Sequence, residues 1–466
     1  MKKIFQLILC GAVLAGAASC NKYLDIVPKG QKIPQTFEDY KALLGSTKAH
    51  TFDFTSQAVV ANEWYTIQTA QATQSFAMIN YNWKEGIDRL QYVLTDMTYS
   101  DAYAAIFVYN VLINHVASAT TGTATQKAEL IAQARVCRAL HYFNLVNTYA
   151  KTYNPSTAAT DPGVMINVND DMEQTLNQSS VKEVYDFVIR EATQTIQDLP
   201  VTSMNGYYAT KGAAYALLAR VYMFQRDYAK AAEAADNALK QNNTLFDYVK
   251  YYNDNKTLAD GNSPGINVPL IDFSNPENYV FNHGGGTNQS QGYYITGYLK
   301  ASDSVLYDKG DARLKVNFAV RTVSSEAILS YRRNDKPNMS GLRTPEVYYI
   351  KAECLARAGN MQEAMEVLNT VRRKRIITAF YSDVTATTEA EAIAKIRREM
   401  RCEYRGAGMM YLDYRRFNMD PVYKTTLTKT EGTTTYSIAP DSYIWIMPFS
   451  ATSIAYGEGR LVQNSK

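Results

Sequence analysis

Apolar residues recur at three- and four-residue spacing through most of this chain, which predicts a mainly α-helical protein. From Ser100 to Ala150 the sequence is almost all helix-forming, and Val136, Leu140, Phe143 and Val146 fall on one face. Pro155 and Pro162 end that run. Ser180, with Glu183 three residues on, is a capping box. The helix it opens carries Val181, Val184, Tyr185, Val188, Ala192, Ile196 and Leu199 on one stripe before Pro200. Thr210 reads as the N-cap of a further helix.

Two stretches have the form of helix pairs. Ala213 to Gln225 is followed by a turn at Arg226 and Asp227, then by Tyr228 to Leu239, where Ala231, Ala232, Ala235 and Ala238 supply a small packing face. The segment DYAKAAEAADNAL looks like the second helix of a tetratricopeptide unit, in which alanines let two helices approach closely. A second copy is predicted from Thr344 and Pro345, which cap and start a helix through Ala358. Gly359 and Asn360 form its turn, and MQEAMEVLN begins its partner. Helical repeats thus occupy about 100–240 and 344–416. Between them, from Asn242 to Ser340, the chain turns rich in Asn, Gly, Ser, Pro and Tyr, with β-like runs at Tyr279 to Phe281 and Lys315 to Val320. A stretch of that length is too long for a plain loop and predicts a loop-rich insertion with minor β structure, packed on the scaffold. Another loop-rich segment runs from Asp420 to Lys466.

The first 19 residues have a different purpose. Lys2 and Lys3, the apolar stretch from Ile4 to Ala15 and the small residues Ala17, Ala18 and Ser19 have the layout of a secretory signal, and Cys20 directly after them looks like a lipoprotein lipobox cysteine. The apolar stretch is too short to span a bilayer, and no later one is long enough. The expectation is a signal peptide over 1–19 and a single domain over 20–466, anchored to a membrane by lipid on Cys20. Without Lys2 and Lys3 the formal charge falls from +3 to +1, which gives no electrostatic footprint for nucleic acid. Cys137, Cys354 and Cys402 lie in helical patterns and read as buried small hydrophobes.

Several blocks carry a family resemblance. CNKYLDIVPKG, RALHYFNLVNTYA, ATKGAAYALLARVYMFQRDYAKAAEAADNAL, LRTPEVYYIKAECLARAGNMQEAMEVLNTVRRKR, IRREMRCEYRGAGMMYLDYRRF, and YIWIMPF followed by LVQN occur in an order that resembles the SusD/RagB family of Bacteroidetes outer-membrane lipoproteins. Gly408 to Arg415 lacks the His and Trp common in the family, and Ile444 to Pro448 departs from its usual Trp-Pro-Ile-Pro. The resemblance implies a tetratricopeptide-like protein without catalysis or cofactor. Such a protein would bind an oligosaccharide, or in some branches a peptide, and pass it to a TonB-dependent β-barrel transporter of the SusC type, facing the cell exterior.

An enzyme would need a constellation that is hard to find. HExxH, GxSxG and GxxxxGK[ST] are absent, and no metal-ligand set stands out. His283 with Gly284, Gly285 and Gly286 spells the HGGG of an esterase oxyanion loop but has no nucleophile elbow beside it. A paired-carboxylate glycosidase stays open, because that separation is spatial. The basic runs Arg372 to Arg375 and Arg397, Arg398 read as solvated or dipole-compensating helix faces. Aromatic residues are the better lead: among 36 tyrosines and three tryptophans, most lie in the repeats. Three clusters do not, namely Trp64 with Tyr65, Tyr81 with Asn82 and Trp83, and Tyr293 with Tyr294 beside Asn288 and Gln289. A sugar ring can pack on such faces while its hydroxyls meet nearby amides, so these nine residues are the predicted ligand site.

Overall fold

The predicted run from Ser100 to Ala150 is two helices rather than one. In the computed structural model, which describes residues 34–64, 74–171, 173–261, 271–284, 299–332, 338–405 and 407–466, short helices α1 (Phe37–Leu44), α2 (Thr55–Val60) and α3 (Phe76–Tyr81) precede α4 (Met97–His115) and α5 (Ala124–Tyr149). The break falls where Gly122 takes a left-handed φ of +84° and Thr123 starts a new capping box with Gln126. Cys20 and the signal segment lie outside the described residues.

Helix α5 is the centre of the molecule. From Val136 to Ala150 every residue is buried, so the apolar stripe read from the sequence understates its burial. Its polar residues are matched internally: Arg138 pairs with Glu191, Asn144 Nδ2 donates to the Ser340 carbonyl at 3.1 Å, and Asn147 Oδ1 accepts from the Tyr185 hydroxyl at 2.9 Å. Those bonds make full burial tolerable. Around α5 pack α4 and α6 (Val181–Thr195), the latter opened by the predicted Ser180–Glu183 box.

Both predicted helix pairs are present. Thr210 caps α7 (Lys211–Gln225), Arg226 turns in the left-handed region, and α8 (Tyr228–Gln241) follows with Ala231, Ala234, Ala235 and Ala238 buried against α7. The second pair is α9 (Thr344–Arg357) and α10 (Met361–Arg372), with Gly359 at φ +86° in the turn. Arg343, not Thr344, is the N-cap of α9, and the Thr344 hydroxyl instead bonds the Thr244 carbonyl. The pairs pack on each other through α8 and α9, and Arg220 on α7 reaches Glu346 on α9 with two bonds of 2.6 Å. Helices α11 (Glu389–Glu403) and α12 (Met409–Asn418) complete the helical body. Helix α12 opens at Gly408, whose φ is +72° and where a Cβ would sit 2.6 Å from Phe54 Cβ, so only glycine fits.

The strands are short and lie in small antiparallel sheets. Strands β1 (Pro162–Met165) and β2 (Gln178–Ser180) pair before α6, and β3 (Asn278–Val280) pairs with β7 (Leu342–Arg343) to close the base of the insertion. Within it, β4 (Leu299–Lys300), β6 (Glu326–Tyr331) and β5 (Phe318–Val323) form a sheet in the order β4-β6-β5. Residues 315–317, read as strand, instead end a short helix, and the strand starts at Phe318. A last hairpin, β8 (Leu427–Glu431) and β9 (Thr434–Ile438), lies in the segment read as loop. Cys137, Cys354 and Cys402 are buried free thiols, as expected. No helix among the described residues is long and apolar enough to cross a membrane.

Candidate ligand-binding site

Three of the predicted aromatic residues meet at one place. Trp64 follows Glu63, a fully buried carboxylate that accepts from Arg401 Nε at 2.7 Å and from Arg405, so the backbone leading to the indole is held from α11. The half-buried Trp64 ring stands edge-on to Tyr81, centroids 5.9 Å apart. Tyr81 ends α3, which Ser75 caps. Trp83 follows in the left-handed region at φ +46°, with its indole N–H donating to the Val60 carbonyl at 2.9 Å.

The expected exposure of these residues needs correction. Tyr81 is 0 % exposed and Asn82 and Trp83 are each 4 % exposed, so none of the three offers an open face to a sugar. Hairpin β8–β9 covers them. Lys429 projects from β8 with its Nζ 3.2 Å from the centre of the Tyr81 ring and 4.8 Å from that of Trp83. Glu431, two residues on and so on the same strand face, accepts from the Tyr81 hydroxyl at 2.7 Å and from Lys300 Nζ at 2.8 Å. Burial pulls the Lys429 amine down to about 7, with nearby Lys300 adding to the effect and Glu431 opposing it. Tyr65, Asn288, Gln289, Tyr293 and Tyr294 lie outside the described residues.

Lys300, Lys429 and Glu431 are the residues that the sequence reading missed. Lys429 and Glu431 lie before the Gly432 turn in a stretch read as loop, and the sequence LTKTE has no apolar alternation to mark their buried face. They matter because of what borders them. Trp64 stands immediately before residues 65–73, and Lys300 immediately follows 285–298 with its neighbour Leu299. One described end of each segment that carries the remaining predicted aromatics therefore sits at the Tyr81 cluster, whereas the other ends, Gln74 and Gly284, lie beside Tyr92 and Met339. Two clefts lie elsewhere. One of about 330 Å³ is bordered by Lys151, Asn154, Asp161 and Asp441, and one of about 410 Å³ by Gln362, Asn369 and Thr385; only the first touches an aromatic ring, that of Trp445.

Other candidate chemistry belongs to the scaffold. His283 of the HGGG stretch is buried, its ring nitrogens facing the Thr47 and Gly284 carbonyls, and it neighbours His50 and His141 in the core. Among the described residues no group of three or more His, Cys, Asp or Glu side chains is placed to hold a metal. The buried carboxylates Glu277, Glu346, Glu353, Glu399 and Glu403 all face arginines.

Fold and cluster together define a helical-repeat protein with an aromatic group beneath an inserted, sheet-bearing face. Comparisons with known proteins show what this class is similar to. Residues 22–223 match the family model described as SusD-like, "Starch-binding associating with outer membrane". SusD-like protein P2 of Formosa agariphila is 24 % identical over 327 residues, 66 % of this chain and 63 % of that protein, so the match spans under two thirds of the relative's length. Among solved structures, a SusD superfamily protein of Bacteroides thetaiotaomicron superposes with a TM-score of 0.72 at 19 % identity, covering 92 % of this chain and 100 % of the other. Surface glycan-binding protein A from Bacteroides uniformis superposes with a TM-score of 0.66 at 16 % identity, covering 92 % and 99 %. Residues 22–223 are thus similar to the SusD-like family model, and the fold over most of the chain is that of solved SusD superfamily proteins.

Proposed function

We propose that this protein is a lipid-anchored outer-membrane protein that captures an oligosaccharide at the cell exterior and hands it to a TonB-dependent β-barrel partner, without catalysis. The observation that carries the reading is the half-buried Trp64 ring, which stands edge-on to Tyr81 where one described end of each of two loop-rich segments lies. Aromatic rings give flat apolar surface for the C–H face of a sugar. The family description, starch binding in association with the outer membrane, supports the same reading.

Trp64 is the ring with part of its surface open, so it is the first to test. Trp64→Ala should weaken oligosaccharide binding by about ten- to hundredfold, roughly 1–3 kcal/mol, with the thermal transition unchanged. Isothermal titration over a glycan panel checks this; peptides that titrate where glycans do not would replace the sugar reading with peptide capture. The anchor has its own test. Cys20→Ala should move the protein out of the membrane fraction, because each buried methylene of an acyl chain contributes about 0.8 kcal/mol. Unchanged detergent-dependent partitioning of the variant would overturn the anchor.

A further inference from the structure

We infer that this site selects glycans bearing anionic groups, carboxylate or sulfate, and that Lys429 and Trp64 supply the selecting N–H groups. The inference rests on the glycan reading of the same cluster and adds the class of glycan.

Two hydrogen-bond donors flank the Tyr81 ring, Lys429 Nζ on its face and Trp64 Nε1 in the indole edge-on to it. Both nitrogen atoms are buried and neither has a hydrogen-bond partner among the described residues. Lys429 is only 7 % exposed, and a buried ammonium with no acceptor is costly. Glu431 favours the ammonium only through its charge and makes no hydrogen bond to it, its Oε1 accepting instead from Lys300 and from the Tyr81 hydroxyl. An ammonium brings three N–H donors and an indole one. Against those four, Asn82, next to Tyr81 in sequence, has one unpaired acceptor, Oδ1. A ligand hydroxyl would accept one bond but bring its own proton in need of an acceptor. A carboxylate or sulfate oxygen only accepts, and so fits the surplus of donors.

Charge points the same way. The ionisable groups around Lys429 are Lys300 and Glu431, with the Tyr81 phenol. Lys429 and Lys300 against Glu431 leave one positive charge. On the sheet packed from the other side, Val323 and Ile328 touch the cluster, and the same face carries Arg321 and Glu326, one charge of each sign. The amine's lowered pKa of about 7 means that an anion would bind its protonated form better, so affinity should fall as pH rises above 7. Entry is through the hairpin, where Lys429, Glu431 and Ile438 are buried and most other side chains are exposed. Leu427, Tyr436 and Ile438 are its apolar contacts with the core.

The test is isothermal titration of the full chain with three probes of matched length: a neutral maltooligosaccharide, an oligogalacturonate and a sulfated galactan oligosaccharide. At pH 6 at least one anionic probe should bind ten times or more tighter than the neutral one, and comparing the two separates carboxylate from sulfate. Lys429→Met, an apolar replacement of similar length, should abolish that preference. Trp64→Phe, which keeps a ring but removes the N–H, should reduce it about fivefold. Equal binding of neutral and anionic probes, or a preference that survives Lys429→Met in a variant with unchanged melting, would overturn the inference and leave glycan capture standing. Binding of none of the glycans tested would overturn both.

Discussion

Arg375→Ala should lower the unfolding free energy by about 3–5 kcal/mol, the range for removing one partner from a buried ion pair. The Arg375 side chain is fully buried, and its guanidinium donates to Glu403 at 2.8 Å, to Glu277 at 2.7 Å and to the Phe246 carbonyl at 2.7 Å. The same carboxylates also face Arg343, and Glu403 faces Arg313. Burial alone would push the Glu403 carboxyl up, but Arg375, Arg343 and Arg313 together hold it well below the usual range. Its charge therefore persists when Arg375 is removed, which makes the loss large. Lys374→Ala is the contrast: that lysine pairs with Asp247 at 2.8 Å on the surface and should cost less than about 1 kcal/mol. Urea denaturation of both variants decides the matter, and equal costs would contradict the buried network.

Mild acid should also destabilise the protein, by up to about 3 kcal/mol per pH unit between pH 6 and pH 4. Burial pulls His50 down to about 3 and His141 to about 4, outweighing their carbonyl partners. His50 stacks on Tyr207 with centroids 4.6 Å apart, and His141 lies between Phe52 and Tyr109. Below the unfolded value of about 6.5, the unfolded chain takes up protons that the folded core refuses. The stability these histidines contribute is therefore complete above that value and lost as pH falls toward their folded values. Asp53 and Asp96, raised by burial, work in the opposite direction. Urea midpoints at pH 7, 6, 5 and 4 measure the slope, and His141→Gln should flatten it. A midpoint that stays constant from pH 6.5 to pH 5 would contradict the buried-histidine account.

The helical scaffold was legible because its signals are local. The Ser180 capping box, the Gly359 turn and the alanine face of α8 each depend on residues within a few positions of one another. What failed was reading that required distant partners. The run Arg372 to Arg375 looks uniformly solvated in sequence, yet Arg372 and Arg375 are buried while Arg373 and Lys374 are exposed. The acids that receive the buried pair, Glu277, Glu399 and Glu403, come from other elements. The exposure expected of Tyr81, Asn82 and Trp83 failed in the same way. Trp64 and Tyr81 were found by composition, but their cover comes from a strand about 350 positions later, where Tyr81 bonds Glu431. A lysine between two threonines carries no sign that its ammonium lies on a tyrosine face.

The Arg220–Glu346 bond joins groups 126 positions apart, and α8 cannot meet α9 until the whole insertion between them has been made. Each helix pair can form early from its own neighbours, whereas joining them requires closing a loop of about a hundred residues. That closure loses chain entropy before any contact repays it. The first pair thus waits with the surface that α9 later covers, including the Arg220 guanidinium, open to water, and docking of α9 is expected to be the slower step. Refolding should accordingly show fast helix formation followed by a slower phase, and that slower phase is when the chain is most exposed to aggregation.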